Sequence, residues 1–209
     1  MLRRTLCELI QRRLAGGDVS DDFSPKLDEI NLWLNHGIAA SAFKNYTDAV
    51  KVDGVEFVSD SFYIGVSNLT ITQDINTGWY YVNLPSAPYA LPKGYDITSV
   101  AIMGNGKLSQ GLVRMEPGRR NAFAALPKPP NKVFWWTEGS ALWMDSFTAL
   151  QNNKLYVRMA ASAGGAYQGG LSDELRVPDD AIPFIIDYVL RVFGQPAPQD
   201  TSNDGNNQK

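Results

Sequence analysis

The 209-residue sequence carries 19 Lys and Arg against 22 Asp and Glu, for a formal net charge of −3. This balance excludes a protein that grips nucleic acid broadly through its phosphates, because such binding needs a surplus of positive charge. A single cysteine, Cys7, and a single histidine, His36, exclude an intrachain disulfide, a cysteine-based zinc or iron–sulfur site and any site built from two imidazoles. With 44% hydrophobic residues, the composition is that of a soluble globular protein that needs neither metals nor disulfides to fold.

The first 48 residues are predicted to form a helical hairpin. The apolar residues of a first helix recur at helical spacing, with the arginines mostly on the opposite face; they are Leu2, Leu6, Leu9, Ile10 and Leu14. Gly16-Gly17 should end this helix as a left-handed cap. Ser24-Pro25 predicts a serine cap and a first-turn proline for the second helix, and Asp28 and Glu29 favour the positive end of its dipole. The second helix should run to about Tyr46 along an apolar stripe of Leu27, Ile30, Leu34 and Ile38, with Trp33 beside it.

Residues 49–163 are predicted to form an antiparallel β region. Asp53-Gly54, between Val50–Val52 and Val55–Phe57, suits a tight hairpin turn, and Asn105-Gly106 repeats the signal. The strands expected around and beyond these turns are Phe62–Thr72, Trp79–Leu84, Ile97–Met103, Leu108–Met115, Val133–Thr137, Ala141–Phe147 and Leu155–Ala160. Many short strands separated by turn residues favour an antiparallel sandwich or a barrel over a parallel sheet.

Residues 164–194 are predicted to contain a Gly-rich connector, Gly164 to Gly170, and a final helix. Asp179 or Asp180 should cap this helix, and Gly194 should end it. Its apolar side chains lie on two sides, which both need cover: Ile182, Ile185, Ile186, Val189 and Phe193 on one, and Phe184, Tyr188 and Val192 on the other. Residues 195–209 have almost nothing to bury and are predicted to form a disordered polar arm. The predicted fold class is therefore α+β, with the helical hairpin and the final helix packed with the β region.

The candidate catalytic and binding residues favour structural roles. A Cys7–His36 nucleophile pair lacks the electropositive setting that activates a thiol. The segment from Met103 to Ser109 fails the spacing of a phosphate loop and reads as a hairpin tip. The carboxylates that a glycosidase would need are scattered through the sheet region, at Asp60, Asp74, Glu116, Glu138 and Asp145. A basic cluster of Lys107, Arg114, Arg119 and Arg120 favours a salt-bridging surface over a nucleic-acid site. The sequence thus predicts no enzyme, no metal and no cofactor.

The apolar stretches of the sequence do not predict a membrane segment. Leu2 to Leu14 is interrupted by arginines and a glutamate, so it lacks the uninterrupted core of a signal peptide. Ala181 to Phe193 is too short to cross a bilayer and contains Asp187 and Arg191. We therefore expect no contact with a membrane.

Both ends of the sequence resemble a known protein family. Leu-Ile-x-Arg-Arg-Leu-Ala-Gly-Gly-Asp-Val-Ser-Asp-Asp over Leu9–Asp22 runs into Leu-Asp-Glu-Ile-Asn-Leu-Trp-Leu-Asn over Leu27–Asn35. These segments are similar to the N-terminus of neck ring proteins, the head–tail connector subunits of crAss-like bacteriophages. The helix opening Val-Pro-Asp-Asp-Ala-Ile-Pro-Phe-Ile-Ile-Asp-Tyr over Val177–Tyr188 and the tail from Gln195 to Gly205 are similar to their C-termini.

The resemblance implies a virion structural protein, made in the cytoplasm of the host bacterium and placed in the phage neck. It implies a homo-oligomer, a dodecameric ring stacked beneath the portal protein or another ring, with double-stranded DNA passing through without specific binding. An acidic subunit suits such passage if the channel lining has the same sign. Ring closure requires two different faces on each subunit. The residues expected at these faces and at the adjacent ring or portal are Phe184, Tyr188, Val192, Trp135, Trp136, Pro196, Pro198 and Asp200.

A second interpretation from a different class stays open. Large aromatic rings serve cores and interfaces alike, and they also stack on sugars. Exposed tryptophans at Trp135, Trp136 and Trp143 would suit a carbohydrate-binding or receptor-contacting virion module.

Overall fold

The computed structural model describes residues 1–104, 107–116, 132–145, 154–161 and 170–194. The helices in these residues are α1 (Arg3–Ala15), α2 (Leu27–Asp48) and α3 (Ala181–Val192). The strands are β1 (Tyr63–Thr70), β2 (Thr72–Gln73), β3 (Tyr80–Asn83), β4 (Ile97–Gly104), β5 (Lys107–Gly111), β6 (Val113–Arg114), β7 (Phe134–Glu138), β8 (Ala141–Met144) and β9 (Lys154–Ala160). The predicted α+β class is confirmed.

The strands form two sheets whose inner faces share one core. One sheet has the order β1-β9-β4-β5 and the other β2-β3-β8-β7-β6. All strand pairs are antiparallel except β6 with β7, which are parallel. Side chains from both sheets meet between them, including Val100, Leu155 and Val157 from the first sheet and Val82, Leu142 and Met144 from the second. Of the two arrangements expected, the described strands adopt the sandwich.

The chain passes directly from one sheet to the other at two corners. β1 continues through Ile71 into β2, and β5 continues through Leu112 into β6. At the second corner the amide of Leu112 donates to the carbonyl of Val100 on β4, and the amide of Val113 donates to that of Val133 beside β7. Both corner side chains pack against the shared core. The two sheets are therefore joined through covalent backbone as well as through side-chain packing.

The three helices form a layer with a core of its own. α1 and α2 are antiparallel, because Arg3 contacts Asn31 and Asn35 while Gln11 donates to the carbonyl of Pro25. α3 crosses α2 where Gly37 allows close approach: a Cβ there would lie 3.3 Å from Ile185. This core also takes in residues at the adjoining end of the sandwich, namely Phe62, Tyr63, Leu91 and Ala160. The helical layer thus closes one end of the β sandwich.

The hairpin predicted at Asp53-Gly54 is wrong. Ala49–Asp53 forms a π-helical turn that continues α2, and Gly54, with φ of 66°, is its left-handed C-terminal cap. The amide of Val55 donates back to the carbonyl of Ala49 at 3.3 Å. Asp-Gly fits a helix end as well as a hairpin turn. Here the helical hydrogen bonding of α2 continues into Ala49–Asp53, so the dipeptide forms the end of a helix.

The predicted start of α2 is also wrong in detail. The Ser24–Pro25 peptide bond is cis, the N-cap residue is Lys26, and the helix begins at Leu27. Pro25 is buried, and its carbonyl ties the loop to α1, so the helix starts after it. The acidic first turn, the Gly16 cap of α1 and Asp180 as the N-cap residue of α3 are confirmed, although Asp180 makes no side-chain capping bond.

Some predictions fall on residues that the structure does not describe. The Asn105-Gly106 turn is one, although β4 and β5 pair on either side of it, with Gly104 opposite Lys107. Most of the Gly-rich connector and the whole of the tail from 195 to 209 also lie outside the described residues.

Candidate interaction surface

α2 is apolar on two opposite faces. One face packs in the helical core through Ile30, Leu34 and Ile38. The other carries Leu32, Ala39, Phe43 and Val50, the last in the π-helical turn, with His36 among them. At 3.6 residues per turn, Leu32, His36, Ala39 and Phe43 fall within an arc of about 60°. Leu32, Phe43 and Val50 are 37–49% exposed. A helix with this pattern is normally covered on both sides, so the second face lacks a partner within the described residues.

Exposed apolar side chains continue along the chain in the segment after α2. Val52, Val55 and Phe57 are 51–81% exposed. Their backbone is held in place, since Tyr95 donates its hydroxyl to the carbonyl of Glu56 at 2.8 Å and the amide of Ser59 donates to Oδ1 of Asn45 at 2.9 Å. We call Leu32, Ala39, Phe43, Val50, Val52, Val55 and Phe57 the outer apolar surface.

Trp135 and Trp136, both predicted at an interface, are buried. Each is only 3% exposed. Trp135 points into the core between the sheets, with the guanidinium of Arg114 5.2 Å from its ring, while Trp136 lies on the other face of the same sheet, edge-on to Trp79 at 5.1 Å. The expectation that these two rings are exposed is wrong, because each is covered by its own chain. Trp143 is half-buried beside Tyr81, its partner in register across β3 and β8.

The predicted interface residues of α3 are divided between packing and exposure. The rings of Phe184 and Tyr188 are half-buried and lie 6.5 Å apart. Lys44 of α2 places its ammonium 5.9 Å from the Phe184 ring, and Tyr188 packs on the helical core. Val192 is exposed at the end of the helix. Pro196, Pro198 and Asp200 lie outside the described residues, so their role stays a prediction.

Cys7 and His36 do not form a nucleophile pair. Cys7 is fully buried in α1, and desolvation raises the pKa of its thiol to about 11, so the thiol is protonated at neutral pH. His36 is exposed on α2 with its ring 5.2 Å from that of Trp33. No hydrogen bond joins the two side chains in the described part of the chain.

Several candidate carboxylates are engaged locally. Asp60 accepts from Arg158 at 2.8 Å, and Asp145 accepts from the amide of Phe134 at 2.9 Å. The hydroxyl and amide of Thr77, with Asn76, donate to Asp74 and lower the pKa of its carboxyl. These bonds organise turns and strand ends.

A cleft of about 500 Å³ lies beside β4, where Arg114 and Lys93 provide the cations. Arg114 donates to both carboxylate oxygens of Asp96, at 2.5 and 3.0 Å, and Lys93 pairs with Glu56. Both cations are therefore neutralised within the chain, which disfavours the cleft as a phosphate site. Of the basic cluster, Arg114 thus takes the predicted salt-bridging role, while Arg119 and Arg120 lie outside the described residues.

The comparisons with known proteins give no family. No family model matches the chain, and no curated protein does. In the residues that the structure describes, there is no group of three or more His, Cys, Asp or Glu side chains placed to hold a metal ion. No helix among them is long and apolar enough to span a membrane.

Two features of the helical layer were missed from the sequence. The outer stripe of α2 has a signal there, because Leu32, His36, Ala39 and Phe43 alternate in steps of four and three residues, the spacing of a helix–helix contact. Nothing in the sequence indicates that Arg3 is buried, since arginine is normally a surface residue.

Proposed function

We propose that this protein is a structural, ring-forming subunit of a phage neck, where it extends the portal channel for passage of the genome. The observation that carries the proposal is the outer apolar surface. Monomeric proteins rarely leave many large apolar side chains of one segment exposed to water on an ordered backbone, and large exposed apolar groups mark protein contacts. In a closed ring, each subunit covers surface of this kind through contacts with its neighbours.

Two other properties support the proposal. Both ends of the sequence resemble connector subunits. The net charge of −3 would limit adhesion to DNA moving through a channel. In this proposal the location is the virion neck, the subunits form a dodecameric ring, and the tail with Pro196, Pro198 and Asp200 reaches the portal or an adjacent ring.

Assembly of the purified full-length chain tests the proposal. Mass photometry should show closed oligomers of about twelve copies, and negative-stain images should show rings with a central hole. Phe43→Asp together with Val52→Asp should shift the population to monomers, because a buried unpaired charge is costly. Ile75, 95% exposed in the turn between β2 and β3, provides a matched control as Ile75→Asp. A wild-type chain that stays monomeric at high concentration would refute the proposal.

The tail is tested separately. Removal of residues 195–209 should weaken binding to the portal protein or the adjacent ring without lowering the thermal stability of the domain. Unchanged binding would remove the tail from the proposal and leave the ring intact.

The second candidate, a carbohydrate- or receptor-binding module, now depends on other residues. Tyr81 and Trp143 form a cross-strand pair on the outer face of their sheet, with ring centroids 5.1 Å apart. Retention on immobilised host polysaccharide, lost in Trp143→Ala and kept in Ile75→Asp, would favour this function.

A further inference from the structure

α1 carries a second exposed stripe, on a different face of the subunit from the stripe of α2. Leu2 and Leu9, seven residues apart, are both exposed, and Arg13 follows four residues later on the same side. Thr5 and Arg12 lie next to them and are exposed too. The neighbouring face of α1 is buried in the helical core through Leu6, Cys7 and Ile10.

The ends of the two stripes carry opposite charges. Arg12 and Arg13 stand at the C-terminal end of α1, and Asp28 and Glu29 stand in the first turn of α2. All four side chains are exposed, and none forms an ion pair or side-chain hydrogen bond within the described residues. Other surface charges of the helical layer are paired locally, such as Arg4 with Glu8 and Lys44 with Asp48.

The spacing of the two stripes matches in the antiparallel direction. If Leu9 lies opposite Leu32, a common rise of 1.5 Å per residue brings Leu2 opposite Ala39. The same register brings Arg12 beside Glu29 and Arg13 beside Asp28. A single register therefore places Leu9 and Leu2 on Leu32 and Ala39 and pairs all four charges, while Phe43 and the apolar residues after it lie beyond the end of α1.

We propose that the exposed stripe of α1 in one copy packs antiparallel on the exposed stripe of α2 in the next copy, with Arg12 and Arg13 paired to Glu29 and Asp28. This inference rests on the proposed ring and names one part of its subunit contact, the part made by Leu32 and Ala39 of the outer apolar surface. The contact joins two different faces, as a closing ring requires. It repeats between subunits the antiparallel relation that α1 and α2 have within one subunit, so the helices of all subunits form one continuous layer.

Charge reversal tests the pairing. Arg12→Glu with Arg13→Glu makes both stripes acidic, and Asp28→Lys with Glu29→Lys makes both basic. Each double variant alone should assemble at least tenfold more weakly than the wild type by mass photometry, because like charges then meet. An equimolar mixture of the two should form rings of alternating subunits. The protein concentration needed should be within about threefold of that needed by the wild type. Arg176→Glu, at an exposed arginine outside both stripes, should assemble normally.

The outcomes separate this inference from the proposed function. If the wild type forms rings and the double variants do so equally well, or if the mixture does not recover, the pairing is overturned and the ring stands. If the wild type never assembles, both fail. Circular dichroism identifies a variant that does not fold. Leu32→Ser then provides a change without added charge and should also weaken assembly at least tenfold.

Discussion

The guanidinium of Arg3 donates from Nε to Oδ1 of Asn31 at 3.0 Å. This bond joins the first turn of α1 to the second turn of α2. Arg3 is only 1% exposed, and a second donor nitrogen bonds to Asn35. Burial lowers the pKa of this arginine, although nearby Tyr89, Cys7 and Asp173 act in the opposite direction. A cation is thus held in the helical core mainly by amide oxygens, and its placement fixes how the two helices pair.

Arg3→Ala should lower the free energy of unfolding by about 3–5 kcal/mol, since it removes both hydrogen bonds and leaves a cavity. Arg3→Met should cost less, because methionine fills much of the volume and removes the desolvated charge. The midpoints of urea denaturation, compared at an unchanged dependence of the free energy on urea concentration, measure both changes in stability. Arg4→Ala, which loses only an exposed pair with Glu8, is the control and should cost under about 1 kcal/mol. Equal effects of Arg3→Ala and Arg4→Ala would contradict this role for Arg3.

Cys7 should make the protein less stable in alkali. Its thiol has a pKa of about 11 in the folded chain against an ordinary value of 9.0, so the unfolded chain loses its proton first. The contribution is intact below pH 9 and is lost as the pH rises from about 9 to about 11. Between pH 8 and pH 10 the wild type should lose about 1 kcal/mol more than Cys7→Ala. Parallel pH profiles of the urea midpoints would contradict the assignment.

Gly37 should be intolerant of large side chains. A Cβ at this position lies 3.3 Å from Ile185 and 3.4 Å from Tyr188, where α3 crosses α2. Gly37→Leu should therefore destabilise the protein by about 1–3 kcal/mol or more through overpacking. Gly37→Ala should be far milder, because the helix propensity of alanine, worth about 1 kcal/mol, offsets the tight contact. Thermal unfolding measures both, and a wild-type melting temperature for Gly37→Leu would contradict this crossing.

Trp136 and Trp143 should respond differently to truncation. Trp136→Ala removes a buried ring and should cost about 3–5 kcal/mol of stability. Trp143→Ala removes a half-buried ring and should cost clearly less. Denaturant titrations followed by circular dichroism compare the two variants. If Trp143→Ala is the more damaging, the burial described for this sheet face does not hold in solution.

The sequence predicts elements well where local pattern and tertiary packing agree. The periodic leucines and the Gly16 cap define α1, and alternating apolar residues with turn residues between them define most strands. It fails where one local signal fits two structures, as Asp53-Gly54 fits both a hairpin and a helix end. Alternation also places Trp135 and Trp136 on opposite faces of a strand, but only the assembled fold shows that both faces are covered.

The sequence contains the spacing that indicates a second apolar face on α2, but it does not show which face stays exposed. The steps of four and three residues from Leu32 to Phe43 are visible in the sequence. Which of the two apolar faces of α2 is left open depends on where α1 and α3 dock. That choice comes from contacts such as Arg3 with Asn31 and Gly37 with Ile185, which join segments distant in the chain.

The core of the helical layer contains residues from α1 and α2 and also from α3, which is made much later. This arrangement determines when the core can form during synthesis. Met1 bonds through its carbonyl to the amide of Leu175, and the face of α2 opposite the outer apolar surface is completed by Ile185 and Val189. During synthesis, α1 and α2 therefore leave the ribosome well before the residues that cover them. More than a hundred residues, most of them in the sandwich, are made between α2 and α3, so the core of the helical layer closes only late in synthesis.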